Sequence, residues 1–309
     1  KIIFNDLKIA EQDLKYDART GGGRPYALSA SALLARVYLT YAATYGHDAA
    51  YYQLAIDKAN EVIPHFPMLT EFEDLFKIKN RFNTEIIYGI NFNGSLSQGW
   101  SGGQFLVRLL PNVDKSNGGP DNAQGFESAT DNLYAAYGNS DKRKSVTLKR
   151  EFLYNDGTVE NLEKPYFFKY WDRAAEPKGN TTDAIFPILR TSEMYLIIAE
   201  ASNEINKNPN TEATKALKMV RDRANNTTAI PSDYAAFKKA VLNEYRLEFA
   251  MEGHRWFDLT RMCTPEEFVS IIKAAKPQSN PQKHHLLFPL PQKDVQLSQG
   301  VLEQNEGYK

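Results

Sequence analysis

The sequence predicts a mainly α-helical protein, built from degenerate helical hairpins of the tetratricopeptide type with long loop insertions and a small β-hairpin. Apolar residues recur every three or four positions in six segments, which is the spacing of one helix face. Small residues gather where neighbouring segments would cross, and one long central stretch has neither pattern. At 309 residues, the chain is long enough to bury a large core.

The first predicted hairpin covers residues 27–64, with helices over about 27–45 and 49–63. Gly46 lies between the two helices and can end the first one in a left-handed conformation. Small residues at the predicted crossing would let the helices approach closely. The predicted inward positions are Ala30, Leu33, Leu34, Val37 and Tyr41 in the first helix, and Leu54, Ala55, Ala59 and Val62 in the second.

Residues 189–309 predict further helical pairs followed by a carboxy-terminal tail. The turn sequence Asn208-Pro209-Asn210 separates the first two of these helices. Their spacing is looser than in regular repeat arrays, so we expect degenerate repeats with insertions. The predicted helices cover residues 192–206, 211–225, 233–253 and 265–275.

Residues 85–171 differ from both helical regions. A short strand is predicted over 85–92, and a β-hairpin over 151–171 turns at Asn155-Asp156-Gly157. Between them, residues 93–130 are polar and rich in Gly, Ser and Asn. Loops of this length inside compact proteins are uncommon and usually functional, so we expect a variable ligand-binding region here.

Composition excludes several classes of protein. The 37 basic residues are balanced by 38 acidic ones, which argues against a nucleic-acid partner. No run approaches the roughly 20 apolar residues that span a bilayer. The single cysteine, Cys263, cannot form a disulfide within the chain.

Aromatic residues make up 12% of the chain and are candidate platforms for sugar rings. Trp100 lies in a Gly-rich context where no periodicity demands a core residue, although it could equally pack within its own loop. Trp171 follows the hairpin and is a second candidate. The predicted partners for sugar hydroxyls are Asn93, Gln98, Arg108, Asp121 and Asn122.

No cofactor or metal is predicted. Asp114, Asn117 and Asp121 could offer oxygen ligands to Ca²⁺, but they lack the spacing and closing glutamate of an EF-hand. The adjacent pair His284-His285 does not have the spacing of a zinc motif.

Four ordered segments of the sequence form a recognisable set. They are GR (23–24) followed by ALLARVYL (32–39); LRTSEMYLIIAEA (189–201) continued by VRDRA (220–224); EYRLEFAMEGHRWFDLTR (244–261); and LFPLPQKD (287–294) ending in QNEGY (304–308). In this order and with these gaps, they resemble the RagB/SusD family of nutrient-binding outer-membrane lipoproteins. The third segment departs slightly from the family pattern, because it opens with Glu-Tyr-Arg where the family usually has Glu-Arg.

The third segment predicts a structural role for its charges. They alternate in sign along a helix and its exit, so they can form ion pairs within the scaffold. Trp256 and Phe257 are expected to pack beside the turn at Gly253, with Trp256 buried. The charged residues are Glu244, Arg246, Glu248, Glu252, Arg255, Asp258 and Arg261.

The resemblance covers residues 1–309 and implies a non-catalytic glycan-binding protein on the cell surface. It would capture oligo- or polysaccharide and pass it to a SusC-like TonB-dependent transporter. The family is usually longer at its amino end. We therefore expect the early part of the fold to be absent here, with a lipidated cysteine upstream of Lys1 as the only attachment to the extracellular face of the outer membrane.

Two other classes of function remain as alternatives. A helical-repeat adaptor would bind a peptide or protein partner, but it does not need the long Trp-containing loop. A glycoside hydrolase would need two carboxylates across the scissile bond. The Gly-x-Ser-x-Gly, Walker and His-Glu-x-x-His signatures are absent from the sequence. We therefore expect a protein that is not an enzyme.

Overall fold

The structure is a computed structural model that describes residues 2–16, 23–92, 103–173 and 182–308. The chain forms two compact units, Lys1–Arg255 and Trp256–Lys309.

The described residues are mainly helical, as the sequence predicts, and contain two small two-stranded sheets. The helices are α1 (Ile2–Asp13), α2 (Ala27–Thr44), α3 (Ala49–Val62), α4 (Gln104–Arg108), α5 (Asp131–Ala136), α6 (Arg143–Thr147), α7 (Thr191–Asn206), α8 (Thr211–Ala224), α9 (Tyr234–Glu248), α10 (Arg255–Met262), α11 (Pro265–Ala275) and α12 (Gln292–Leu297). The strands are β1 (Ile86–Asn91), β2 (Leu148–Leu153), β3 (Val159–Phe167) and β4 (Ile185–Arg190).

The long helices pack as hairpins. α2 packs on α3, α3 on α7, and α7 on α8 and α9. Ala55 and Ala59 of α3 are fully buried, as predicted. Their small side chains allow the neighbouring helices to approach closely. α7 is the central helix, since apolar residues on nearly all its faces are covered. The predicted tetratricopeptide-type arrangement is therefore confirmed.

The predicted helix faces were partly wrong. Leu33, Val37 and Tyr41 of α2 are only half-buried, and Leu54 of α3 is 40% exposed. A second run of residues on α2 takes the core positions, because α2 is covered by α1 and β1 as well as by α3. These buried residues are Leu28, Ala32, Ala35, Tyr38, Leu39 and Ala42.

Helix α9 ends at Glu248, five residues before the predicted end at Gly253. Met251 and Gly253 have positive φ angles of 64° and 83°, so the chain turns sharply after the helix. This turn carries Glu252 into the protein interior, where 6% of the residue is exposed.

Strand β1 pairs antiparallel with β4, which lies about a hundred residues further along the chain. The register joins Ile86 to Arg190 and Asn91 to Ile185. The sequence predicted β1 but not its partner. The sheet brings the amino end of α7 next to the start of β1, and the Thr191 amide donates to the Glu85 carbonyl at 3.1 Å.

Strands β2 and β3 form the predicted hairpin, with Leu153 opposite Val159 and Leu148 opposite Phe167. The described part of the preceding loop, residues 103–130, packs against this hairpin. Its apolar residues Leu110, Val113 and Ala123 share a cluster with Phe152 and other hairpin rings. The sequence predicted an exposed loop here, but residues 103–130 are largely packed. The reason is that their apolar side chains join those of the hairpin in a small core.

The unit Trp256–Lys309 contains most of α10, all of α11 and α12, and the tail. A capping box opens α11, where the Thr264 side chain accepts from the Glu267 amide and the Glu267 carboxylate accepts from the Thr264 amide. Trp256, expected to be buried, is half-buried and packs on Phe268 and Phe288 at 5.5 and 5.0 Å. Across the described residues, no helix has the length and apolar character to cross a membrane.

Candidate functional site

A buried network of ion pairs joins the helices to the β-hairpin region. Five cations meet five carboxylates, all less than 9% exposed, so the charges within this network balance. The cations are Arg143, Lys169, Arg190, Arg221 and Arg223, and the carboxylates are Glu85, Asp141, Glu244, Glu248 and Glu252. The structural role predicted for Glu244, Glu248 and Glu252 is confirmed.

Arg190 lies at the centre of this network. Its guanidinium donates to both oxygens of Glu252 at 2.8 and 2.9 Å, and to Glu248 at 2.5 Å. It also lies 4.1 Å from the centre of the Phe249 ring. Burial alone would raise the pKa of Glu248, but the charges of Arg223, Arg190 and Arg143 hold that pKa well below its usual range.

Lys169 connects the network to a surface cleft. Its ammonium donates to the Glu252 carboxylate at 2.7 Å and to the Ala250 carbonyl at 2.8 Å. Burial lowers the pKa of Lys169 to about 8, although the negative charge of Glu252 opposes this shift. The same residue lines the cleft, so the network holds one wall of the candidate binding site in place.

The cleft has a volume of about 530 Å³ and lies between the hairpin and residues 73–77. Three buried phenylalanines and the half-buried Trp171 supply apolar lining, and exposed charges including Glu73, Lys149 and Glu151 surround it. Apolar ring faces beside fixed polar groups suit a carbohydrate, which has apolar ring faces and polar edges. The three phenylalanines are Phe76, Phe152 and Phe168.

Trp171 is held in place by its neighbours. Its ring stacks on Phe152 at a centroid distance of 5.4 Å with an interplanar angle of 26°. Phe168 packs on it at 5.5 Å. The Trp171 amide donates to the Phe168 carbonyl at 2.9 Å, which sets the turn after the hairpin. The indole is thus fixed in position beside the cleft.

Two cations border the rings of the cleft. The Arg173 guanidinium donates to the Leu153 carbonyl at 2.6 Å and lies 5.8 Å from the Trp171 ring. The Lys149 side chain is exposed, but its ammonium lies 5.2 Å from the Phe168 ring. Loss of water around this ammonium lowers the pKa of Lys149, and the charge of Arg173 adds to the shift while Glu73 opposes it.

A second groove, of about 720 Å³, shares Ser145, Lys149, Glu151 and Leu153 with the cleft. The side chains of β2 therefore separate two neighbouring depressions on the surface. The groove is bordered on its far side by α5 and by the segment leading into α6.

The structure places the predicted site residues in different surroundings. Trp171 lines the cleft. The half-buried Arg108 lies 5.9 Å from the exposed ring of Phe126, and neither Asp121 nor Asn122 is among the residues lining the cleft. Asn93, Gln98 and Trp100 lie outside the described residues.

The Asp121-Asn122 turn nevertheless belongs to the same part of the fold as Trp171. Asn122 has a φ of 60°, and the next residue, Ala123, is buried in the cluster against which Trp171 packs. Arg108 is linked to this segment because its carbonyl accepts from the Phe126 amide at 3.2 Å. The segment thus carries these polar side chains along the outside of the hairpin cluster.

The oxygens considered for Ca²⁺ take part in local structure. The Asp114 carboxylate accepts from the Ser116 amide at 2.9 Å and from its hydroxyl at 2.7 Å. The Asn117 side chain accepts from the Asp156 amide at 3.3 Å, which joins this turn to the hairpin. Within the part of the chain that the structure describes, no group of three His, Cys, Asp or Glu residues could hold a metal ion.

The sequence reasoning missed most of the charged residues around the two depressions. Lys149 and Arg150 lie on β2, and Lys142 and Lys144 flank the start of α6. The run Lys142-Arg143-Lys144, followed five residues later by another basic pair, was a visible signal. Lys169 gave no such signal, because its carboxylate partner lies 83 residues away.

These features define a helical protein of the tetratricopeptide type, whose hairpin insertion forms an aromatic cleft above a buried ion-pair network. The chain belongs to the SusD family, because the family model matches residues 153–308, half of its length. A SusD-like protein from Formosa agariphila is 25% identical over 303 residues, covering 84% of this chain and 56% of the relative.

Solved structures show the same fold. A SusD superfamily protein from Parabacteroides distasonis superposes with a TM-score of 0.83 at 24% identity, covering 100% of this chain and 68% of that one. Surface glycan-binding protein A from Bacteroides thetaiotaomicron, in complex with laminarihexaose, superposes with a TM-score of 0.75 at 20% identity, covering 98% and 70% of the two chains. The chain spans just over half of the length of its Formosa relative.

Proposed function

We propose that this protein is a non-catalytic glycan-binding protein of the cell surface. Its membership of the SusD family carries the proposal. The fold shared with a glycan-binding protein that holds laminarihexaose supports it. The cleft beside Trp171 offers the aromatic surface and polar border that a sugar needs.

The proposed binding surface combines the described cleft with the residues predicted from sequence. Trp171 is its aromatic platform, and Lys149, Glu151 and Arg173 can contact hydroxyls along its border. Trp100 remains a predicted platform, with Asn93 and Gln98 as predicted partners for sugar hydroxyls. Arg108, Asp121 and Asn122 are proposed as polar contacts for a longer chain that extends around the hairpin.

Binding without hydrolysis agrees with the structural roles of the buried glutamates and of Asp172. The buried glutamates Glu85, Glu244, Glu248 and Glu252 are all in ion pairs with arginine or lysine. Near the cleft, the Asp172 carboxylate accepts from the Ile78 amide at 2.9 Å, which gives it a structural role. A hydrolase would instead need an acid with a raised pKa facing a second carboxylate.

Affinity electrophoresis tests this function. The protein is run in native gels containing laminarin, xyloglucan, starch, a pectic or a host-type glycan, with bovine albumin as the non-binding reference. We expect retardation in at least one gel, and no release of reducing ends from that glycan in solution. Absence of retardation across the panel would favour the helical adaptor, and reducing-end release would establish a hydrolase.

We further propose that the protein is lipid-anchored on the extracellular face of the outer membrane and delivers its glycan to a SusC-like TonB-dependent transporter. The support is the family's association with this uptake system. Co-purification of the full-length protein from detergent-solubilised outer membranes tests the partnership. We expect a stoichiometric transporter of the TonB-dependent class, and its absence under mild detergent would contradict the proposed delivery.

A further inference from the structure

The second groove, on the other side of β2 from Trp171, concentrates positive charge. Four cations and two carboxylates line it. One carboxylate, Asp141, is buried and bound by Arg143 at 2.7 Å, so it does not offset the exposed cations. The chain as a whole carries a formal net charge of −1, so this local excess is not a consequence of composition. The cations are Lys142, Lys144, Lys149 and Arg150.

Two of these lysines are available to a ligand. Lys144 and Lys149 form no ion pair within 4.0 Å with a carboxylate of residues 2–16, 23–92, 103–173 or 182–308. The Lys144 ammonium lies 4.3 Å from the centre of the Tyr134 ring, and this contact restrains its position.

The other two cations have exposed partners that a ligand can displace. The Lys142 ammonium lies 3.1 Å from the Glu71 carboxylate, and both side chains are about half exposed. Arg150 pairs with Asp131, whose side chain is 85% exposed, and its guanidinium lies 5.2 Å from Tyr134. Exposed pairs of this kind contribute little to stability, so an incoming anion competes with them easily.

The remaining lining of the groove suits a sugar chain. Asn139, Ser140 and Ser145 are exposed and present amide and hydroxyl groups. At the β2 end, Leu153 and Val159 are each 54% exposed and offer an apolar surface for a ring face. The groove therefore combines hydroxyl partners, an apolar surface and a fixed positive charge.

We propose that this groove binds an acidic unit of the glycan, one that bears a carboxylate or a sulfate group. The inference rests on the proposed glycan-binding function and assigns the class of ligand. Lys144 and Lys149 contact the anionic group, and the neighbouring cleft beside Trp171 holds an adjoining sugar of the same chain. A neutral glycan would leave the two ammonium groups without a charged partner.

Matched pairs of polysaccharides test the inference. Binding is measured by affinity electrophoresis for polygalacturonate against its fully methyl-esterified form, and for a sulfated galactan against its desulfated form. The proteins are the wild type, the double variant Lys144→Gln/Lys149→Gln, and the control Lys215→Gln/Lys239→Gln. The control removes the same charge from exposed positions of α8 and α9.

We expect the wild type to bind the acidic form of at least one pair at least about tenfold more tightly than the neutral form, since one hydrogen bond to a charged group is worth about that factor. The Lys144/Lys149 variant should lose this preference and the control should keep it. Which pair shows the preference identifies carboxylate or sulfate.

Three results would overturn the inference. Equal binding of acidic and neutral forms would contradict it while leaving the proposed function intact. A preference that both double variants weaken equally would show diffuse electrostatic attraction in place of a site. Binding of neither form in either pair, together with retardation by a neutral glycan elsewhere, would show that the ligand carries no charge. Failure to bind any polysaccharide would overturn the proposed function itself.

Discussion

At the scale of single residues, Trp171 gives the clearest prediction for the site. Replacing Trp171 with alanine removes the largest half-exposed ring in the cleft. We expect glycan affinity to fall about tenfold or more, because tryptophans at the centre of binding sites commonly contribute about 2 kcal/mol. Isothermal titration with the glycan that retards the wild type measures the effect.

The control for this prediction is Tyr45→Ala, which removes a ring that is 66% exposed and packs at a tilt on Tyr41 of α2. Its affinity should match the wild type. Trp171 also packs on Phe152, so circular dichroism must show that both variants are folded at the titration temperature. An unchanged affinity for folded Trp171→Ala would remove the cleft from the proposed binding surface.

Arg190 gives a second prediction, for stability. Replacing Arg190 with methionine removes the main cation of buried Glu252 and one of the three arginines that surround buried Glu248. We expect the free energy of unfolding to fall by about 3–5 kcal/mol, the usual cost of removing one partner from a buried charge pair. Urea denaturation measures it.

The exposed Arg24 supplies the matched substitution, Arg24→Met. Its effect should stay within about 0.5 kcal/mol, as for most surface changes. Similar losses in the two variants would mean that the buried network contributes no more than an exposed arginine does.

At the scale of elements, the β-hairpin depends on its turn. Gly157 has a φ of 86°, and no atom lies within 4 Å of where a Cβ would stand. Gly157→Ala should therefore lower the free energy of unfolding only by the backbone strain of a left-handed alanine, about 1–2 kcal/mol. Gly138→Ala is the control, because Gly138 has the same open surroundings without a positive φ. Thermal unfolding of both variants checks this, and equal midpoints would contradict it.

Elements governed by local sequence could be predicted well. The bounds of α2, α3, α8 and α11 were correct to within one residue of the structure at each end, because apolar periodicity and turn residues are local signals. Helix α1, with Phe4 as its buried residue, was not predicted. Its apolar pattern is short, and the helix is stabilised by packing on α2.

Elements that depend on distant partners could not be predicted in the same way. Strand β4 was missed because its pairing with β1 is a long-range contact. Helix α9 ends early, and the turn that follows brings the Glu252 carboxylate to Arg190 and Lys169. These two partners are distant in sequence, so no local pattern marks the end of the helix. At the candidate site, sequence singled out Trp171 but not Lys149 or Lys169, since single charged residues carry no periodic signal.

At the scale of the whole molecule, the buried network predicts how stability depends on pH. Burial depresses the pKa of Lys169 to about 8 from its usual 10.5, so between these values the unfolded chain binds more protons than the folded one. The contribution of Lys169 to the free energy of unfolding should therefore rise with pH across this window, by at most about 1.4 kcal/mol per pH unit.

The difference in the free energy of unfolding between the wild type and Lys169→Met isolates the contribution of Lys169, because the contributions of the other titrating groups cancel. Urea denaturation at several pH values from neutral to above 10.5 measures it. A difference that is flat across the window would show that Lys169 titrates normally. In acid the slope has the same sign, because the pKa of Glu252 is depressed and its contribution to stability is lost as pH falls below 4.5.

For the whole molecule, the central prediction is that the protein holds a glycan and leaves it intact. The most direct test titrates the protein with an oligosaccharide from the polysaccharide that retards it, and then analyses the recovered sugar by mass spectrometry. We predict saturable binding and an unchanged chain length after prolonged incubation. Shorter products, or no binding of any sugar from a retarding polysaccharide, would contradict the account.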